Sequence, residues 1–148
     1  MKIASQIARY LLGLVFLVFG ANGFLNFIPM PPPTGVAGQF MGAIFASHFF
    51  VILFLFQLIA AILLLINRYV PLALAMLAPV IFNIVCFHAL MAPSGLPVAI
   101  VVTILWMLVF ARVRAAFAGI LLQRVPEQAS NSVGAYSSGS HAAPAAQG

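Results

Sequence analysis

Long unbroken apolar runs, rather than alternation at a period of 2 or 3.6, organise this chain. That pattern belongs to helices surrounded by apolar material on every side. The first run, Tyr10 to Phe27, continues for a full membrane thickness at about 1.5 Å per residue. Lys2 and Arg9 ahead of it resemble a signal peptide's start. Phe19-Gly20-Ala21, however, lacks the small residue that a cleavage site places three positions back, so an uncleaved first span is predicted. Gly13, Gly20 and Gly23 within it suit close approach of a second helix. Ile28-Pro29-Met30-Pro31-Pro32-Pro33 then forbids continued helix, because each proline removes a donor and restricts the residue before it.

Gly35 to Ser47 is apolar but too short to span, with small residues Gly38, Gly42 and Ala46 four apart on one helical face. It predicts an interfacial or re-entrant helix packed on the bundle. His48 to Ile66 reads as the second span, with Gln57 its one strongly polar member. Asn67-Arg68-Tyr69 makes a tight turn, and Pro71 suits the first turn of a third helix running to Ala92. Pro93-Ser94-Gly95-Leu96-Pro97 closes that helix. Val98 to Phe110 forms the core of a fourth span, whose brevity lets Arg112 and Arg114 snorkel towards the headgroups. Ala115 to Leu122 continues along the interface. From Glu127 the chain turns to Ser, Ala, Gly and Gln with little to bury, which predicts a disordered tail with a solvated His141. The predicted fold is therefore all-α, a four-transmembrane-helix bundle with a short interfacial or re-entrant helix between spans one and two. The spans cover about residues 8–27, 48–66, 71–92 and 96–114 of a membrane domain over about 1–118, and about 119–148 form a cytoplasmic end and tail.

Composition agrees. The chain is 65% hydrophobic and 5% charged, against about 45–50% and about 25% in soluble domains. One acidic and six basic side chains cannot cover a water-facing surface, so membrane lipid is the predicted surrounding. The net charge of +5 forms no patch or stripe, which excludes a nucleic-acid surface and leaves the charges as topology signals. With four spans, Lys2, Arg9, Arg68, Arg112, Arg114 and Arg124 all fall on one side, and the opposite loops carry none. Both termini are then expected in the cytoplasm. A single cysteine, Cys86, excludes an internal disulfide and a CxxC pair. Three histidines, one glutamate and no aspartate exclude a carboxylate-based metal or hydrolase site, so neither a catalytic nor a metal-ligating set is predicted.

The candidate chemistry lies in polar residues inside the spans. By this topology Asn22 and Asn26 share a face on the outer half of the first helix. His48 starts the second span near the outer surface, with Gln57 deeper, and the third carries Asn83 and His88. Nothing comparable is evident on the cytoplasmic half. An apolar slot with aromatic walls and one or two imidazole or amide donors suits a quinone, and Phe24, Phe27, Phe49, Phe82 and Phe87 are near that level. Each polar residue also has a packing reading, since an interhelical hydrogen bond contributes about 0.6 kcal/mol. His48 also suits an interfacial anchor, and Cys86 a small buried hydrophobe. Pro79 leaves the Ala75 carbonyl unbonded and kinks the third helix, which can open space beside Asn83. A haem between His48 and His88 is disfavoured, because its axial pair would lie near the surface.

Arg9-Tyr10-Leu11-Leu12-Gly13, Phe19-Gly20-Ala21-Asn22-Gly23, Gln57 to Leu65, Asn67-Arg68-Tyr69 with Pro71-Leu72-Ala73-Leu74, and Ala78-Pro79-Val80-Ile81-Phe82-Asn83 with Phe87-His88 resemble the DoxX-like family of small bacterial membrane proteins. The likeness covers roughly Arg9 to Val109 through loose, apolar motifs. It implies a four-helix protein of the bacterial inner membrane linked to redox or sulfur metabolism and to quinone-coupled complexes. Where relatives often carry a glutamate followed by paired glycines, this chain has Gln57 and Ala60-Ala61, a departure that argues against proton-coupled chemistry. Three functions follow as expectations. The first is an accessory, non-enzymatic membrane subunit of a redox system, associated with soluble or membrane redox subunits and holding a quinone-sized ligand. The second is a small-molecule permease or channel component, and the third a purely structural bundle.

Overall fold

The structure, a computed structural model, describes residues 2–121. The predicted tail, Arg124 and His141 fall outside the described residues. The fold is all-α: α1 (Lys2–Leu25), α2 (Gly35–Ala46), α3 (Phe49–Leu65), α4 (Val70–Leu90) and α5 (Leu96–Val113), with 3-10 turns at Pro93–Gly95 and Arg114–Leu121. α1 packs on α3 and α5, and α4 packs on the same two, so four helices close a ring while α2 lies outside it against α3. α1, α4 and α5 with its flanking turns are each long and apolar enough to cross a membrane. α2 and α3 form a pair bent by 86°. α3 alone has 17 residues, about 25 Å of helix against a hydrocarbon core of about 30 Å.

The ring's interior is apolar. Leu12, Leu64, Leu74, Leu77 and Val109 are fully buried at its centre. The outer faces are equally apolar: Ile52, Leu55, Ile59 and Ile62 on α3, and Val101, Ile104 and Leu108 on α5, are exposed. Apolar side chains on both sides of a helix fit a bundle whose solvent is lipid. With no hydrophobic effect to draw apolar helices together in lipid, close backbone approach must do so. The α1 glycines supply it. Gly13 lies under Leu65, where an added Cβ would come within 2.9 Å of the side chain, and Gly20 lies under Leu58 and Gln57. Gly23 lies against the Phe54 ring.

The small-residue face of α2 has no such use. Gly38 backs onto the Pro33 carbonyl of its own lead-in, Gly42 faces open space and Ala46 is exposed. α2 instead reaches the bundle through aromatic rings: Phe40 meets Phe87 of α4, and Phe45 stacks on Phe50 of α3 at 4.8 Å.

Helix ends differ from expectation in two places. α1 begins at Lys2, ahead of residue 8, because Lys2 to Ala8 contains no helix breaker and Ser5, Ala8 and Arg9 already turn into the bundle. It ends at Leu25 through its asparagines rather than through the proline run. Asn26 takes a left-handed conformation (φ 49°) and donates to the Asn22 carbonyl, as asparagine does at helix ends. At the far end of α3, Asn67 and Tyr69 are also left-handed (φ 57° and 53°). There the Arg68 N–H returns to the Leu63 carbonyl, which closes the turn into α4 by a Schellman-type bond.

Candidate functional site

None of the six polar residues singled out from the sequence lines either of the two cavities described below. The Asn22 side chain is buried and turned along its own chain: its Oδ1 accepts from the Ile28 N–H at 2.6 Å. It shapes the exit from α1. Asn26 is exposed in the left-handed cap that follows. His48 is exposed and left-handed (φ 60°), and forms the hinge of the bent α2–α3 pair beside Phe50. Gln57 is 8% exposed and faces α1 at Gly20. Asn83 is half-buried on α4.

His88 closes the end of its helix. Its Nδ1 lies 3.0 Å from the Ala92 carbonyl, and the ring covers Gly95 so closely that a Cβ there would overlap it. The imidazole thus ties α4 to the short turn leading into α5. His88→Ala is expected to lower stability by about 0.5–1.5 kcal/mol, the worth of one net hydrogen bond. A thermal melt in detergent that matches the unsubstituted protein would refute this role.

The phenylalanines separate likewise. Phe24 joins Phe50 and Phe54 in an edge-on cluster, Phe87 pairs with Phe40 and His88, and Phe27 and Phe49 are exposed. Phe82 alone of the five lines either of the two cavities described next.

The first is an apolar groove of about 270 Å³ between α4 and α5, lined by Ala78, Ile81, Phe82, Val85, Thr103, Trp106 and Met107. It lies beside Pro79, mid-way along α4. A proline there lacks the N–H that would bond the Ala75 carbonyl. One residue earlier, the Leu74 carbonyl accepts the indole N–H of Trp106 at 3.0 Å. That bond pins α5 to the turn of α4 ahead of Pro79 and holds the indole as a wall of the groove, stacked on Phe110 at 5.0 Å. The Thr103 hydroxyl donates back to the Ala99 carbonyl at 2.7 Å, and the groove presents an apolar surface throughout. The groove beside Pro79 runs along Phe82 and Trp106, and Asn83 is not among its lining residues.

The second is a polar cavity of about 80 Å³ at the opposite end from His88, lined by Ser5, Gln6 and Arg9 of α1, Asn67 of the α3–α4 turn, and Val109, Arg112 and Val113 of α5. Arg9 is 6% exposed. Its guanidinium donates to the Leu64 carbonyl in the last turn of α3 and lies 4.2 Å from the Tyr10 ring centroid. This corrects the expectation that the basic half of the bundle holds nothing comparable to the outer half.

Sequence reasoning passed over Trp106 and took Arg9 for a topology signal. Both carried a readable cue. A lone indole in an apolar run needs an acceptor for its N–H, and Ser5 and Arg9 are four apart, on one helical face. No protein-family model, curated protein or solved structure matches the chain.

Proposed function

We propose that this chain is an accessory, non-catalytic membrane subunit of a quinone- or sulfur-linked redox system, holding a lipid-soluble, quinone-sized ligand. The observation that carries the reading is the groove between α4 and α5. It is wholly apolar, walled by Phe82 and Trp106, and open on the bundle's outer surface. These are features a ring with a lipid tail needs: flat aromatic surfaces and access from the bilayer. The redox association rests on the likeness to DoxX-like proteins and belongs to the same proposal. So does placement in a bacterial inner membrane with both termini in the cytoplasm, which rests on the one-sided distribution of lysine and arginine.

Trp106 is the chain's single tryptophan, so its emission reports on the groove directly. A short-chain quinone added to the detergent-solubilised protein is expected to quench that emission saturably. Ala78→Phe, which fills the groove, is expected to turn the saturable phase into weak linear quenching. Linear quenching in the unsubstituted protein, or saturable quenching indifferent to Ala78→Phe, would overturn the proposal.

A further inference from the structure

We infer that the polar cavity at the basic end of the bundle is an oxyanion site that takes one phosphate group. This inference is independent of the quinone proposal, since it concerns the opposite chemistry at another place in the fold. Two guanidinium-bearing side chains, Arg9 and Arg112, line a space of about 80 Å³ together with the hydroxyl of Ser5 and the amides of Gln6 and Asn67. Every polar side chain in that set can donate a hydrogen bond. Among the described residues there is no carboxylate to receive them, because the chain's single acidic residue is Glu127.

Charge compensation by the helices accounts for only part of this cation density. Arg9 caps the C-terminal carbonyls of α3 at Leu64, and Arg112 stands in the last turn of α5. A helix C-terminus carries about half a negative charge. Two such ends offset about one of the two positive charges and leave about one unpaired. That excess is set in a cavity whose principal cation is nine-tenths buried. An arginine presents five N–H donors in a planar fork suited to phosphate oxygens. One of the Arg9 donors is spent on Leu64, and the cavity lies where the others can reach a second acceptor. Its dimensions admit a single tetrahedral group rather than a nucleotide or a second ring. Basic pockets between membrane helices near one surface also suit anionic headgroups. The phosphate can therefore come from an anionic phospholipid or from free solution.

The test uses the full chain, delipidated in a non-ionic detergent, with three probes: dihexanoyl phosphatidylglycerol, dihexanoyl phosphatidylcholine and inorganic phosphate. Binding is measured by equilibrium dialysis of labelled compound. Phosphatidylglycerol is expected to bind saturably at one site per chain, at least about tenfold more tightly than phosphatidylcholine, whose choline cation meets the arginines. Arg112 is exposed, so Arg112→Gln is expected to melt as the unsubstituted protein does while weakening this binding about tenfold, the worth of one charge-assisted hydrogen bond. Ser5→Ala should weaken it less. Inorganic phosphate that binds equally tightly and displaces the lipid assigns the site to a free oxyanion. Phosphate too weak to displace it assigns the site to a headgroup. Both results uphold the inference. It is overturned if neither anion binds saturably, or if Arg112→Gln leaves the affinity of both within about twofold.

Discussion

Gly23→Ala is expected to destabilise the bundle by up to about 2 kcal/mol, although alanine is the better helix former. Two effects oppose each other. Exchanging glycine for alanine within a helix gains about 1 kcal/mol of propensity. Against it, a Cβ at Gly23 would overlap the Phe54 ring, and overpacking a close contact costs about 1–3 kcal/mol. The ring cannot swing aside at no cost, because Phe54 meets Phe24 at 6.0 Å and Phe50 at 6.2 Å. Steric overlap therefore wins. The same change in a Phe54→Ala background removes the obstacle, so there Gly23→Ala should be neutral or stabilising by up to about 1 kcal/mol. Thermal midpoints of the four proteins in one detergent give the coupling. A Gly23→Ala protein that melts higher than the parent with Phe54 in place would show that α1 and α3 do not meet as described.

That contact marks how far the sequence could be read. The lengths of the apolar runs and the proline and glycine breaks fixed the number of helices and most of their ends, because in lipid a span is set by thickness and by backbone hydrogen bonding. The glycines of α1 were legible as points of close approach. The glycines of α2 look the same in sequence and pack against no helix. What separates them is which neighbour stands opposite, and spacing within one helix carries no information about that. Depth along the bundle is likewise readable, whereas rotation about each helix axis is not. Asn22, Gln57, Asn83 and His88 were grouped by depth. Asn22 and His88 turned out to serve their own helix ends, through Ile28 and Ala92. Short-range backbone partners of this kind are favoured because a helix terminus leaves carbonyls and N–H groups unbonded wherever it falls.

Arginine shows the same limit from the other side, and it yields the second large effect. Arg9 and Arg68 are alike as topology signals, yet the first is 6% exposed and the second stands in the open turn between α3 and α4. Arg9→Met is expected to cost about 2–3 kcal/mol. It removes a charge-assisted hydrogen bond to the Leu64 carbonyl, worth about 1.5–3 kcal/mol, together with a cation–π contact to Tyr10 of about 0.5–1 kcal/mol at an exposed ring. Relief from holding a cation away from water returns part of that sum. Arg9→Lys keeps the positive charge but not the planar fork, so it should fall between the two proteins in stability, with the parent orientation expected at the reporter. Arg68→Met has no buried contact to lose and is expected to stay within about 0.5 kcal/mol of the parent. Unfolding midpoints for the three variants, with a topology reporter at the C-terminus, separate the contributions. Equal losses at positions 9 and 68 would return Arg9 to the role of a surface charge. The expected order places parent and Arg68→Met together, Arg9→Lys below them and Arg9→Met lowest, as it must be if the guanidinium is what fastens the start of α1 to the end of α3.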